Sequence, residues 1–368
     1  MERLRELYPA DESEVAAILR SANDNGLAVI PRGGGTKQDW GNPASRADLV
    51  LSTARLNRII EHAWADLTVT VQAGCTVSAL QCCLAQHGQR LAIDVLWPER
   101  ATVGGVLSTN DSGALRRVYG GLRDLIIGIT LVLADGTIAR SGGKVVKNVA
   151  GYDLPKLATG ALGTLGVITE AIFRLHPLAK NTRTLSASAG TIDAAQALLL
   201  EIQAARRAHT SLQVRFAAAG EPWIDILLEG TEAGIASEER RLRELAPFAE
   251  GSQEVWMARQ TIASEASVAK FSVLPSRIAS IMTGWSRALP SSWKAVVQAT
   301  GIGWLSADIP LESLRAEIER EAGSLAIMRG PRQDAWGDPG DALPLMRALK
   351  HQFDPKRTLN PGRFVGGL

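Results

Sequence analysis

Between Arg140 and Leu175 the sequence runs RSGGKVVKNVAGYDLPKLATGALGTLGVITEAIFRL, with six glycines set among β-branched residues. Glycine interrupts helices and strands alike, but it admits left-handed backbone and close main-chain approach. Such a stretch cannot be one long helix; it reads as short strands joined by glycine-bounded loops. The segment GGKVV invites comparison with a phosphate loop. A Walker loop needs GxxxxGK followed by Ser or Thr, whose hydroxyl holds Mg²⁺. Here Val145 follows Gly143 and Lys144, and Ile138 stands at the first glycine position, so the match fails. Gly160, Gly163 and Gly166 are spaced by three and do not make the GxGxxG of a nucleotide-binding turn.

Two other glycine-rich segments carry more. PRGGGTK, residues 31–37, places three successive glycines after an apolar strand. Their N–H groups can converge on one anion, a nest suited to a pyrophosphate, and Thr36 adds a hydroxyl. A plain flexible hairpin loop is the alternative on this segment alone. In WPERATVGGVLSTNDSG, residues 97–113, Gly104 and Gly105 lie between apolar residues, and Ser108, Thr109 and Asn110 offer hydrogen bonds. A packed glycine turn with a capped end is the alternative here. Three glycine-rich loops, none of them a mononucleotide motif, point to a long ligand touched at several places.

The chain has 368 residues, enough for two or three domains. The pattern predicts a helix over DESEVAAILRSANDNG, capped at Asp11 or Ser13 and ending at Gly26, and a strand at LAVIP. DLVLST is a further strand, LNRIIEH a turn beyond it, LTVTVQAG a half-buried strand and TVSALQCCLAQHG a helix. After HPLAK, residues 176–180, glycine thins and strands alternate with helices as far as LAIMRG. That texture predicts an antiparallel sheet with helices on one face. No internal repeat is strong enough to use. The expected fold class is α+β, with domains at 1–180 and 181–350 and a closing arm at 351–368. A net charge of +2 gives no electrostatic case for nucleic acid. Cys75, Cys82 and Cys83 make neither a disulfide framework nor a zinc or iron–sulfur spacing, and read as buried thiols of a reducing cytoplasm. No metal site is expected. The charged N-terminus lacks an apolar signal region, and no run of about 18 apolar residues occurs.

PRGGGTK, PERATVGGVLSTNDSG, YGGLRDLIIGITLVLADG, GGKVVKNVAGYDLPKLATGALGTLGVITE and FDPKRTLNPGRF, in this order, resemble FAD-linked oxidases of the vanillyl-alcohol oxidase type. Within that group they are most similar to glycolate oxidase E subunits. The resemblance covers residues 5–180 and the last twenty; the middle matches only in layout. It implies a PCMH-type FAD-binding domain, a smaller ferredoxin-like cap domain and an arm returning to the flavin. By position it implies that Arg32, Gly33, Gly34, Gly35 and Thr36 hold the FAD pyrophosphate. Thr36 falls where some relatives carry a flavin-bonded histidine, which implies non-covalent FAD. Pro98, Thr102, Val103, Gly104, Gly105, Thr109, Asn110 and Gly113 match the segment beside the isoalloxazine and pyrophosphate. Tyr152 and Asp153 open the YDL stretch. Gly160, Gly163, Gly166, Val167 and Ile168 match the turn at the adenine and ribose side, and Asn360 lies in the returning arm.

The resemblance breaks in one place. Relatives that oxidise 2-hydroxy acids unaided carry an HGDGN-like segment, whereas this chain has QATGIGWLSADI, without histidine. Its histidines are His62, His87, His176, His209 and His351, of which His87 and His176 read as caps or surface residues. The catalytic group is not identified; His351, Arg277 and Arg329 are candidates, with Arg332 beside Arg329, and surface ion pairing is the alternative for each arginine. The implied function is an FAD-dependent 2-hydroxy-acid oxidoreductase acting as one subunit of a glycolate oxidase complex. Its implied partners are a second FAD-linked oxidase subunit and an iron–sulfur subunit, with membrane association arising only through them. An independent 2-hydroxy-acid dehydrogenase and a non-catalytic assembly subunit are the alternatives.

Overall fold

The computed structural model describes residues 4–144 and 151–368. Residues 145–150, within the GGKVVKNVAGYDL motif, lie outside them. The chain divides into two compact units. The first comprises Met1–Ser112, Tyr119–Leu178 and Asp338–Leu368; the second comprises Gly113–Val118 and Ala179–Gly337. Residues 338–350, expected in the second region, cluster with the first, for a reason that lies in Lys350 (below).

The first unit holds two main sheets. Strands β1 (Arg5–Leu7), β2 (Val29–Arg32) and β3 (Leu49–Ser52) form a parallel sheet in the order β1-β3-β2. Helix α1 (Glu12–Asp24) crosses between β1 and β2. Its start is fixed by Asp11, whose side chain accepts from Glu14 N, and it ends before Gly26 at φ +65°. Val15, Leu19 and Ala22, at helical spacing, bury against Val29 and Leu51.

The second sheet is antiparallel, in the order β4-β5-β9-β7-β8, from β4 (Ile59–Ala63), β5 (Thr68–Gln72), β7 (Ile126–Val132), β8 (Ile138–Gly142) and β9 (Val167–Arg174). A separate two-stranded ribbon pairs β6 (Gln89–Arg90) with β10 (His176–Pro177). LNRIIEH, expected as a turn, supplies the edge strand β4. A bulge between Ile59 and Glu61 breaks its two-residue period, leaving Ile60 exposed, which hides the strand from pattern reading. Helices α2 (Val77–Ala85) and α3 (Val103–Thr109) pack on this sheet through Leu80, Leu84, Val106 and Leu107.

The second unit is one antiparallel sheet in the order β14-β11-β13-β12-β16-β17-β15-β18. The strands are β11 (Asn181–Ser188), β12 (Ser211–Ala217), β13 (Trp223–Gly230), β14 (Ala249–Glu250), β15 (Val268–Ser272), β16 (Lys294–Gln298), β17 (Ile302–Ser306) and β18 (Ser324–Arg329). With α4 (Ile192–Ala204), α5 (Glu232–Leu245), α6 (Ile278–Ala288) and α7 (Arg315–Arg320), the chain order is βαββαβ twice. Each half has the ferredoxin-like arrangement, and the halves join edge to edge through β12 and β16. This duplication is invisible in the sequence because only the apolar alternation is shared. Leu212, Val214 and Phe216 face the helices, while Gln213 and Arg215 face away and hold the fully buried Asp225. The α+β class expected from the sequence is the class observed. Among the described residues no helix is long and apolar enough to cross a membrane.

The C-terminal segment belongs to the first unit through specific bonds. Val29 N donates to Thr358 O at 2.7 Å, and Asn360 N donates to Val29 O at 3.1 Å, so the segment runs along β2. Lys350, on the helix Leu343–Phe353, sends its three N–H groups to Thr164 O, Leu359 O and the carboxylate of Asp354, at 2.7–2.9 Å. Asp354 is fully buried and also accepts from Thr358 N and Leu359 N. Burial pulls the Lys350 amine down from its ordinary value, and the Asp354 carboxylate opposes that shift.

In the second unit His209 is buried, and among the described residues its ring meets at most a long backbone contact to Arg207. Burial, and then the charge of Arg117, hold its pKa at about 4 instead of the ordinary 6.5. Between those values the unfolded chain carries the proton and the folded one does not. Stability is therefore full above pH 6.5 and falls as the pH drops toward 4, by up to about 3 kcal/mol. We expect His209→Leu to flatten this dependence. Thermal midpoints measured between pH 7 and 4.5 check it, and an unchanged slope would refute the assignment.

Candidate functional site: a cleft between two glycine-rich loops

Strand β2 ends at Arg32, and the chain turns through residues 33–38 against the segment preceding α3. A Cβ on Gly33 would stand 2.1 Å from Thr102 Oγ1, and one on Gly34 only 1.7 Å from Arg100 O. Any side chain there would force the two segments apart. Gly35 has φ +69°, the left-handed region that reverses the loop. The facing segment is equally constrained. Thr102 caps α3 by accepting from Gly105 N, and a Cβ on Gly104 would meet Ala73 Cβ at 2.8 Å. At Gly33, Gly34 and Gly104 the missing side chain is thus required by the protein's own packing, and the backbone so drawn together forms the walls of a cleft.

The cleft opens to solvent and has about 70 Å³ of space for water-sized spheres, less than the roughly 300–1,000 Å³ of a typical ligand site. Of the residues singled out in the sequence, Arg32, Gly33, Gly34, Gly35, Thr36, Thr102, Gly104, Gly105, Thr109, Gly163, Gly166, Val167 and Ile168 line it. The others stand elsewhere. Val103 is buried in the core of the second sheet. Asn110 closes α3 in left-handed conformation, and Gly160 N donates to Leu107 O. Pro98 O accepts from Ser78 N. Tyr152 is 88% exposed, and Asp153 caps the helix Leu154–Ala158 while pairing with Lys156 at 2.9 Å. Gly113 falls in the segment that clusters with the second unit. Asn360 is buried behind the wall. Its Nδ2 donates to Leu162 O at 2.6 Å, and its Oδ1 has no partner among the described residues.

Ser108, whose hydroxyl the sequence also offered, lines the cleft, as do Pro31, Lys37, Gln38, Thr53, Leu162 and Arg363, which sequence reading missed. Lys37 is the most informative of these. Its ammonium is buried, lies 3.2 Å from the buried carboxylate of Asp111 and 5.6 Å from the ring centroids of Trp40 and Trp97. Asp111 in turn accepts from Leu96 N at 2.9 Å. This pair ties the first loop to the segment carrying α3, and removing one partner of such a buried pair typically costs about 3–5 kcal/mol. A lysine directly after GGGT and an aspartate among NDSG were visible in the sequence, but nothing local pairs them. Arg363 is 5% exposed and Arg32 pairs with Glu6, so three cations border the cleft.

The candidate catalytic residues are placed differently. His351 is exposed and lines a separate depression with Arg347, Asp354 and Arg357, sharing no residue with the cleft. Arg277 pairs with Glu321 at 3.4 Å, Arg329 donates to Ala263 O and Glu265 O, and Arg332 to Gly330 O. His87 stacks on Trp64 at the surface beside His62, and His176 packs edge-on against Tyr119. Among the described residues no cluster of His, Cys, Asp and Glu could hold a metal ion.

Backbone amides, hydroxyls of Thr36, Ser108 and Thr109, and three cations suit an extended anion; Pro31, Leu162, Val167 and Ile168 add an apolar wall for a flat ring. Residues 5–142 match the FAD binding domain family, and thus an FAD-binding domain. Glycolate oxidase subunit GlcD of Bacillus subtilis is 36% identical over 200 residues, 54% of this chain and 43% of that protein. A D-lactate dehydrogenase of Archaeoglobus fulgidus is 36% identical over 195 residues, 53% of this chain and 43% of that one. The matched stretches thus span less than half of these relatives. The solved structure of an alkyldihydroxyacetonephosphate synthase superposes with a TM-score of 0.72 at 18% identity, covering 97% of this chain and 76% of that one. That likeness is one of fold alone.

If close packing of the loops shapes the cleft, Gly34→Ala should weaken FAD binding about tenfold to hundredfold, the equivalent of about 1–3 kcal/mol of overpacking. Quenching of flavin fluorescence on titration checks this, and wild-type affinity in the variant would contradict it.

Proposed function

We propose that this chain is the FAD-binding subunit of a glycolate oxidase complex, oxidising glycolate or a similar short 2-hydroxy acid with electrons passed to a partner. The observation that supports the reading is the cleft's lining of glycine backbone, hydroxyls and cations, groups suited to a diphosphate. Residues 33–36, with Thr102, Gly104, Gly105 and Thr109, hold the diphosphate non-covalently, Thr36 lacking the imidazole of a flavin-bonded histidine. Gly163, Gly166, Val167 and Ile168 form the opposite wall, and Asn360 supports that wall through Leu162. When bound, FAD supplies the acceptor for a hydride leaving the hydroxyl-bearing carbon.

Oxidising a hydroxy acid also needs a base for the hydroxyl proton and a cation for the carboxylate. Arg32 and Lys37 at the cleft are paired with Glu6 and Asp111, Arg277, Arg329 and Arg332 are engaged with other groups, and His351 lies outside the cleft. The base is therefore assigned to a second FAD-linked oxidase subunit, with an iron–sulfur subunit as electron acceptor. The name of the Bacillus subtilis relative, a glycolate oxidase subunit, supports membership of a complex. The name of the Archaeoglobus fulgidus relative favours the second reading, an independent 2-hydroxy-acid dehydrogenase.

An anaerobic visible spectrum, taken before and after glycolate, separates the readings. The flavin of the isolated chain should stay oxidised and bleach only with partner subunits present. Bleaching of the lone chain would establish the independent enzyme. A flavin that no donor reduces even in the complex would leave a structural cofactor.

A further inference from the structure

Arg363 stands three residues beyond Asn360, and its side chain reaches back to the loop that follows the glycines. Nε donates to Trp40 O at 3.2 Å, Nη1 to Gln38 Oε1 at 3.0 Å, and Nη2 to Lys37 O and Gln38 O at 3.0 and 2.8 Å. The backbone around it is pinned as well. Asn42 N donates to Arg363 O at 3.0 Å, and Ser45 N to Pro361 O at 2.7 Å. In a trans peptide the carbonyl of one residue and the N–H of the next point to opposite sides. Holding Lys37 O and Gln38 O toward the guanidinium therefore turns the N–H groups of Gln38 and Asp39 away from it. Gln38 and Arg363 both line the cleft.

We propose that Arg363 is a positioning residue for the diphosphate of the cleft's ligand. Its planar fork holds residues 37–40 in the shape that completes the glycine loop, and its charge stands in the same wall. The first loop is thereby made dependent on the C-terminal segment, more than 300 residues away in sequence and held there by Lys350 and by pairing with β2. The assignment rests on the FAD reading proposed above, and the test keeps the two apart.

The full-length chain, stripped of flavin, is titrated with FAD, ADP and riboflavin as wild type, Arg363→Met and Arg363→Lys. FAD and ADP share the diphosphate, and riboflavin lacks it. Loss of charged hydrogen bonds predicts about a thirtyfold fall in FAD and ADP affinity for Arg363→Met, and about fivefold for Arg363→Lys, which keeps the charge but not the fork. Riboflavin affinity should stay within about twofold, because no charged contact to it is removed. Equal losses for all three ligands, or wild-type affinity for FAD and ADP, would overturn the proposal. Should Arg363→Met not fold, Arg363→Lys decides by the same ratio of ligands. A wild-type chain that takes ADP but neither FAD nor riboflavin would remove the flavin reading, and the ADP comparison would still decide the role of Arg363.

Discussion

The close approach of residues 33 and 34 to Arg100 and Thr102 is the constraint on which the first unit's site depends. Two loops that begin some 70 residues apart in the chain touch backbone to backbone, and no side chain fits between them. Beside that contact the main chain can present N–H groups to a ligand. The glycines therefore act first on the protein and only then on what it binds. A similar sequence with alanine at 34 would keep every predicted strand and helix and still force the two loops apart.

Buried charges hold this contact in place. Lys37 and Asp111 join the two loops from within, between two tryptophans, and Lys350 and Asp354 fasten the C-terminal segment to β2 and to Thr164. Each pair is saturated with hydrogen bonds, which offsets the desolvation of burying it. Both pairs bridge segments whose hydrophobic contact alone would be small. They are specificity devices in the sense that either partner alone is a buried, uncompensated charge.

Much of this was legible from residues alone. A cap of α1 at Asp11 or Ser13, of which Asp11 is the one observed, the strands LTVTVQAG and LGVITEAIFRL, and the α+β class follow from period and punctuation, and the resemblance to FAD-linked oxidases follows from the order of five motifs. Pattern fails where tertiary contact overrides it. The bulge in β4 breaks alternation, so LNRIIEH does not look like a strand. The duplicated βαββαβ halves share a face, not a sequence. Lys37 and Arg363 have partners 74 and about 325 positions away, so no window contains both ends of the interaction. Candidates taken by position from the resemblance divide in the same way. Arg32 to Thr36 line the cleft, whereas Pro98, Gly113 and Gly160 do not, and Val103, Tyr152 and Asp153 serve the core, the surface and a helix cap.

The pairing of a cofactor cleft with a second unit that lacks histidines on its β16 and β17 strands shapes the chemical proposal: a chain that holds a redox group and leaves proton transfer to a partner. Its foundation is the geometry of the loops, and the most direct measurement is a crystal structure of the chain grown with FAD. The diphosphate should lie between residues 33–38 and 102–109, with Gly33 and Gly34 still packed on Thr102 and Arg100. A diphosphate bound elsewhere, or loops that part to admit it, would contradict the preformed cleft.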